Sequence, residues 1–463
     1  MSDMFNQPPP LENVNLFSSD LALQDAVKRE GGGAEHDLER FGAIAGSRDM
    51  LDRARLANEY PPRLKLFDAG GGRLDKVEYH PAYHELMAAS TGQGLHAALW
   101  SHLADGGQPR KGRGVARAAG FYMASQMEAG HCCPITITNA AVPVVRQEPA
   151  IAEAWLGRIL VRDYDRTFRP AAEKRAVTIG MAMTEKQGGS DVRANVTEAA
   201  PAGGSDGEYL LTGHKWFMSA PMSDAFLVLA QVRGRAPGGL SCFFMPRFLP
   251  DGTVNPILLQ RLKDKCGNRS NASCEVEFAR THAWLVGEEG RGIATIMEMV
   301  TLTRLDCAIS SAGLMRWGLA NALNHCSYRV AFQKKLIDQP LMRQVLADMA
   351  LDHEAAVALV FRLARAFERS AEEEAEAAFS RLMTPAIKYW VCKLLPGFAY
   401  EAMECIGGNG YVEEGPMARL FRESPLNAIW EGSGNIMCLD VLRAANKSPE
   451  ALAALLDQLH LAA

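Results

Sequence analysis

Ala225-Phe-Leu-Val-Leu-Ala230 and Leu240-Ser-Cys-Phe-Phe-Met245 are the stretches on which the fold turns. Each is short, apolar, rich in β-branched or aromatic residues, and bounded by Gly, Pro, Asp or Asn. Tyr209-Leu-Leu211 before them and Ser273-Cys-Glu-Val-Glu-Phe278 after them have the same texture. Such spacing predicts a small antiparallel barrel or sandwich of roughly a hundred residues. On either side the pattern is helical. Apolar residues recur every three or four positions through Tyr83 to Leu103 and Val115 to Glu128, and again from Gly292 almost to the end. Leu341 to Phe379 fits long bundle helices, with Glu372 to Glu374 a solvated face or a connecting loop. Pro134, Pro143 and Pro149 are expected to separate the N-terminal helices, and the first forty residues to form an irregular arm. The class is α+β: a helical part over 1–177, a β domain over 178–286, and a helical bundle over 287–463.

The 463 residues are 48% hydrophobic and 22% charged, ordinary for a globular protein of two or three domains. A net charge of −5 argues against a global attraction to nucleic acid or anionic membrane. Ten cysteines without a Cys-x-x-Cys pair read as reduced, mostly buried thiols. The first ten residues lack the basic and apolar regions of a leader, so cytoplasm is the expected location. No Gly-x-Gly-x-x-Gly follows a strand, which excludes the usual dinucleotide-binding domain.

Three segments carry chemistry. In Met181-Ala-Met-Thr-Glu-Lys-Gln-Gly-Gly-Ser-Asp191, the paired glycines and Ser190 expose backbone N–H groups and a hydroxyl, as a diphosphate requires. Thr184 is placed to bond the polar edge of a planar ring. Taken alone, a tight turn between strands explains the stretch better. In Gly213-His-Lys-Trp-Phe-Met-Ser219, alternation puts Lys215, Phe217 and Ser219 on one face and Trp216 and Met218 on the other. Phe217 and Ser219 suit a ring face and a ring nitrogen, whereas Trp216 reads as core. In Ile429-Trp-Glu-Gly-Ser-Gly-Asn435, a carboxylate sits between an indole and a Gly-Ser-Gly turn. Desolvated there, Glu431 would be a strong base; alone, an acid at a helix entry is the commoner explanation.

Together these segments resemble the acyl-CoA dehydrogenase family, and within it the adaptive-response, AidB-type branch linked to DNA alkylation stress. Tyr79-His-Pro-Ala-Tyr-His84, Cys133-Pro-Ile-Thr136, Arg261-Leu-Lys-Asp-Lys265, Gly267-Asn-Arg-Ser-Asn-Ala-Ser273 and Trp430 to Asp440 extend the resemblance over almost the whole chain. It implies an N-terminal helical domain, a middle antiparallel β-barrel domain and a C-terminal four-helix bundle, assembled as a homotetramer with one FAD per subunit.

The resemblance further implies that Met181, Ala182, Met183, Thr184, Phe217, Met218 and Ser219 line the flavin ring, with Gly189 and Ser190 near the diphosphate. Ser219 stands where most relatives have Thr, and Phe217 where they have Trp. Arg329 and Phe332 match an Arg-x-x-Phe element that reaches the neighbouring subunit's FAD, although the glycine that usually follows is Gln333. Gly407 and Gly408 match the turn that completes that site, and Trp430, Gly432, Ser433 and Asn435 close over the cofactor. Glu431 falls on the catalytic base that removes the α-proton of an acyl-CoA thioester while the β-hydride passes to flavin N5. Arg304, in Thr303-Arg-Leu-Asp306, is expected to orient Glu431; a helix ion pair with Asp306 is disfavoured by the spacing of two.

Relatives in the adaptive-response branch turn over ordinary substrates poorly and bind DNA through a basic C-terminal segment. Here 32 residues follow Glu431, and Val441 to Ala463 balances Arg443 and Lys447 against Glu450 and Asp457. DNA binding is therefore a doubtful expectation, and a dehydrogenase for short branched chains the first. No metal site is expected: His80 and His84 flank Pro81 and read as a helix start. Arg110 to Arg117 reads as a solvated loop rather than a phosphate site.

Overall fold

The computed structural model describes residues 5–104, 106–203, 207–232 and 239–462; the first four residues and Ala463 lie outside these. The chain opens with helices α1 (Leu21–Glu30), α2 (Glu35–Ala45) and α3 (Arg48–Glu59). The first forty residues are thus not irregular throughout. Gly31 closes α1 in a left-handed cap at φ 84, so the glycine run punctuates helices instead of preventing them. A hairpin of β1 (Arg63–Phe67) and β2 (Arg73–Glu78) leads into α4 (Pro81–Gly92), α5 (Arg113–Met127), α6 (Cys132–Val145) and α7 (Pro149–Ile159).

Pro149 begins α7 and Pro134 lies in the first turn of α6, but Pro143 sits inside α6. Proline lacks the N–H that would bond the carbonyl four residues back. Trp100 supplies the missing donor: its indole Nε1 reaches the Asn139 carbonyl at 2.8 Å. Expectation also failed at Arg117, which lies inside α5 and is 5% exposed.

The middle strands are β3 (Ile179–Ala182), β4 (Glu198–Pro201), β5 (Glu208–Ser219), β6 (Ala225–Val232), β7 (Leu240–Pro246), β8 (Ile257–Leu262) and β9 (Ser273–Val286). They run in the order β3-β5-β4-β6-β7-β9-β8, and an added β5–β9 pairing closes the ring. The barrel is not wholly antiparallel, because β3 and β4 pair in parallel with β6. Strands β6 and β7 are apolar throughout for a physical reason. Leu227, Leu229, Cys242 and Phe244 face a core shared with α6 and α7, while Phe226, Val228, Phe243 and Met245 fill the barrel.

After the barrel come α8 (Gly292–Tyr328), a hairpin of β10 (Val330–Ala331) and β11 (Lys334–Lys335), then α9 (Pro340–Arg369), α10 (Glu374–Ile406), α11 (Pro416–Glu423), α12 (Gly434–Lys447) and α13 (Pro449–Ala462). Helices α8, α9 and α10 pack on one another, α8 and α9 also pack on α5, and α12 lies along α10. Glu372 and Glu373 form the turn before α10. All ten cysteines are free, and only Cys266 and Cys438 are exposed. Among the described residues, no helix is long and apolar enough to cross a membrane and no side-chain cluster could hold a metal.

The α5–α8 contact centres on a buried bidentate pair: Arg117 donates from both terminal nitrogens to Asp306 at 2.6 Å each. Thr136 of α6 also donates to Asp306, and Arg117 Nε bonds the Leu95 carbonyl at 2.7 Å. Asp306→Ala strands the guanidinium in the core and is expected to cost about 3–5 kcal/mol, read as a lowered midpoint in chemical denaturation.

Candidate active site

The site is built from the end of β3, the 183–191 loop, the end of β5, the middle of α8, and the turn before α12. Thr184 accepts at its backbone carbonyl from Trp216 N at 2.8 Å, which ties the loop to β5. Met181 pairs with Ser219 across the strands. Thr184, Phe217 and Ser219 thereby share one edge of the barrel, as the sequence predicts.

The predicted alternation along β5 does not hold. A register shift between Lys215 and Met218 turns both into the barrel, and Phe217 is left 47% exposed. Lys215 bonds Glu185 at 2.8 Å and the Leu229 carbonyl at 2.7 Å. Burial brings its ammonium down to about 8. Burial alone would raise Glu185, but the Lys215 charge and donors at Thr197 and Val196 hold it near 2. Met218 and Ala182 also point into the barrel core, so only their main chains remain for a ligand.

This edge fits a flavin. Phe217 is half-exposed with the Lys263 ammonium 4.9 Å from its ring centroid, and the Thr184 hydroxyl and the N–H groups of Gly189 and Ser190 have no partner among the described residues. A Cβ at Gly189 would lie 2.4 Å from Thr184 Oγ1, so only glycine lets the loop fold flush against the threonine. The loop turns at Gly188, whose φ is 123.

In the turn before α12, Glu431 and Gly432 take consecutive left-handed conformations at φ 58 and 102. For a non-glycine this is costly, and four bonds hold it. Arg304 Nε donates to the Glu431 carbonyl at 2.9 Å. Lys388 Nζ donates to the carbonyls of Trp430 at 2.9 Å and Gly432 at 2.6 Å, and Trp430 Nε1 donates to Asn427 at 2.9 Å. Arg304 also binds Asp440 at 2.8 Å, which Arg381 holds from its other oxygen. Asp306 plays no part here, because it belongs to Arg117.

Among the described residues, the Glu431 carboxylate accepts one side-chain hydrogen bond, from Thr303 Oγ1 at 2.8 Å. Burial raises its pKa; the Thr303 hydroxyl, then Arg304 and Lys388, act in the opposite direction and do not cancel it. Cys133 completes the wall. Its thiol lies within bonding reach of Ser219 and Asn271, and burial lifts it to about 11, so it stays neutral. Thr303, Lys388, Asp440 and Cys133 were not singled out by sequence reasoning. Thr303, Asp440 and Cys133 do stand within quoted motifs; Lys388 gave no local signal.

The remaining predicted residues lie elsewhere. Arg329 is 26 residues beyond Thr303, about 39 Å along α8 at the helical rise. Phe332 is 94% exposed at the tip of the β10–β11 hairpin. Phe332 and Gln333 both have positive φ, 52 and 65, as a two-residue turn of this type requires. Gln333 thus adopts the conformation for which a glycine is the usual choice. The hairpin is braced by the N-terminal arm: Asn6 Oδ1 accepts from Val330 N at 2.7 Å, and Arg329 donates to the Asn6 carbonyl at 2.9 Å. Gly407 and Gly408 join this second cluster, where Asn409 bonds Gln7 at 3.1 Å. His80 caps α4, accepting from Ala82 N at 3.2 Å, and His84 bonds Tyr164 at 3.0 Å.

Known proteins resemble the chain along nearly its whole length. The adaptive response protein AidB N-terminal domain matches residues 6–166, the acyl-CoA dehydrogenase middle domain 180–281, and the acyl-CoA dehydrogenase C-terminal domain 290–446. AidB of Escherichia coli (strain K12) is 53% identical over 446 residues, 96% of this chain and 80% of that protein. The Bd2924 apo-form superposes with a TM-score of 0.90 at 30% identity, covering 98% of this chain and 90% of that one. Caenorhabditis elegans ACDH-11 in complex with C11-CoA gives 0.89 at 29% identity, covering 99% and 79%.

Because Thr303 lowers the Glu431 pKa, Thr303→Val is expected to raise it further. A base acts deprotonated, so the acidic limb of the pH profile of flavin reduction should move to higher pH, with bound flavin unchanged. A limb that stays in place or moves to lower pH contradicts the assigned hydrogen bond.

Proposed function

The chain belongs to the acyl-CoA dehydrogenase family, a family of flavoproteins that hold FAD, and on that premise we propose that it oxidises acyl-CoA thioesters with Glu431 as the base. One observation carries the reading: a buried carboxylate with a raised pKa stands on a strained turn, and Cys133, whose thiol reaches Ser219 at the end of β5, lies within range of its charge. Thr184, Phe217, Ser219, Gly189 and Ser190 would hold the flavin and its diphosphate. When bound, FAD supplies the acceptor for the β-hydride.

The chain's own residues do the rest. Glu431 takes the α-proton at its carboxylate. Thr303 and Arg304 fix where that carboxylate lies, one through its oxygen and the other through its main chain. Trp430, closed down on Asn427, helps exclude water. The left-handed turn leaves main-chain N–H groups near Glu431 to stabilise the enolate oxygen. Short branched acyl chains of the isovaleryl type are the proposed substrates, and cytoplasm the proposed location. Phe332, Arg329, Gly407 and Gly408 form a second exposed cluster far from Glu431, which supports a homotetramer in which each cluster completes a partner's cofactor site.

A second reading is favoured by the N-terminal match to an adaptive response protein: a flavin-holding, DNA-associated protective protein with vestigial turnover. Anaerobic titration of the yellow protein with isovaleryl-CoA and straight-chain acyl-CoAs separates the two. Bleaching within the mixing time supports the dehydrogenase; an unchanged spectrum with every thioester supports the protective role. Glu431→Gln should keep bound FAD and slow reduction by about 10²–10⁴-fold. Loss of flavin, with activity persisting in the remaining holoprotein, would overturn Glu431 as the base.

A further inference from the structure

The β10–β11 hairpin has little of its own to keep it in shape. Each strand is two residues long, and the ladder consists of Val330 with Lys335 and Ala331 with Lys334. An isolated two-stranded hairpin is marginal in water even when longer. Both turn residues, Phe332 and Gln333, are non-glycine residues in the left-handed region, which adds strain. The N-terminal arm supplies what is missing. The Asn6 side chain takes both polar groups of the Val330 main chain, accepting from its N–H at 2.7 Å and donating to its carbonyl at 2.9 Å. Asn6 thus serves as a one-residue third strand, and its own carbonyl accepts from Arg329 at 2.9 Å. Beside it, Gln7 Oε1 accepts from Asn409 Nδ2 at 3.1 Å, in the turn that contains Gly407 and Gly408. Asn324 of α8 anchors the same arm by donating to the Pro9 carbonyl at 2.9 Å. Two adjacent arm residues therefore tie the hairpin to the glycine turn, which is far from it in the chain.

We infer that Asn6 and Gln7 are positioning residues for a cofactor held mainly by another subunit: they lock the hairpin and the glycine turn in the geometry that completes the FAD site of a second copy of this chain. The inference rests on the homotetramer proposed above and assigns two residues that the family resemblance did not. What the brace holds faces outward. Phe332 projects from the tip, and a Cβ built at Gly408 would meet nothing of this chain, so packing within the subunit does not call for a glycine there. The brace also answers a specific deficit. Gln333 adopts a conformation that suits glycine, and the two bonds from Asn6 to Val330 fall three residues before it in the same hairpin. A hairpin with glycine at that place could hold its turn unaided; this one is held from outside.

Equilibrium dialysis of the holoprotein against falling concentrations of FAD tests this, with the oligomeric state followed by light scattering. Asn6→Gly removes the amide while permitting the positive φ of residue 6, and Gln7→Ala removes the second tie. The N6G/Q7A variant should bind FAD about tenfold more weakly or worse, through the loss of its side-chain hydrogen bonds, and keep its oligomeric state. Gln333→Gly relieves the turn, so N6G/Q7A/Q333G should recover most of the lost affinity. Such a recovery is not expected of a residue that merely stabilises the fold elsewhere. Unchanged FAD affinity in N6G/Q7A overturns the brace, and so does a loss that Q333G fails to restore. Dissociation of the oligomer in step with flavin loss also overturns it, because the arm then joins subunits instead of shaping the hairpin. An R329Q/F332A variant tests the premise separately. If it holds FAD as tightly as the wild type, the hairpin meets no cofactor, and the inference falls with its premise. If it releases FAD while N6G/Q7A does not, the premise stands and the brace alone fails.

Discussion

The salt bridge between Arg117 and Asp306 sets the rotation of α8, and the rest of the site depends on that rotation. Both groups are almost wholly buried, so the helix cannot turn without parting two charges inside the protein. Successive residues on an α-helix are 100° apart, so Arg304, two positions before Asp306, points about 200° away from it. Asp306 faces α5, and Arg304 must therefore face the turn that carries Glu431. Thr303, one step further round, meets the carboxylate itself. The contact that holds the N-terminal helices to the bundle thus also decides which side chains of α8 reach the chemistry.

A second constraint concerns where positive charge is allowed to act. Two cations lie close to Glu431, and either would lower its pKa if it paired with the carboxylate. Neither does so. Lys388 is occupied by two carbonyls, and Arg304 by a third carbonyl and by Asp440, which is itself shared with Arg381. The cations fix the backbone of the turn while a single neutral hydroxyl touches the carboxylate. Desolvation therefore prevails, and the group remains a better base than its surroundings first suggest.

Much of this was legible in the sequence where the cause is local. Apolar runs bounded by turn residues marked β6 and β7, and Gly189, Thr184, Ser219 and Glu431 stood in motifs whose composition suits the task proposed for them. What escaped depends on partners distant in the chain. Nothing near Pro143 indicates that Trp100 will replace its missing hydrogen bond, and nothing near Lys388 indicates that it will hold carbonyls forty-odd residues later. Strand alternation misplaced Lys215 because a bulge shifts the register, and the buried Glu185 then satisfies the charge. Arg117 looked solvated only because Asp306 lies 189 positions away. The glycine and proline runs near the N-terminus were read as disorderly, although Gly31 is a helix cap.

The turn at Glu431 is secured by its carbonyls, not by its carboxylate. Its scaffold is therefore indifferent to what the side chain at 431 happens to be, so long as a residue there tolerates the left-handed conformation. On the proposed role of Glu431, such a protein can gain or surrender its reaction by a single codon change while its barrel and bundle persist. Lineages built on this frame can drift between enzymes and cofactor-bearing adaptors without passing through an unfolded intermediate, and ancestry alone is a poor guide to which of the two a given descendant has become.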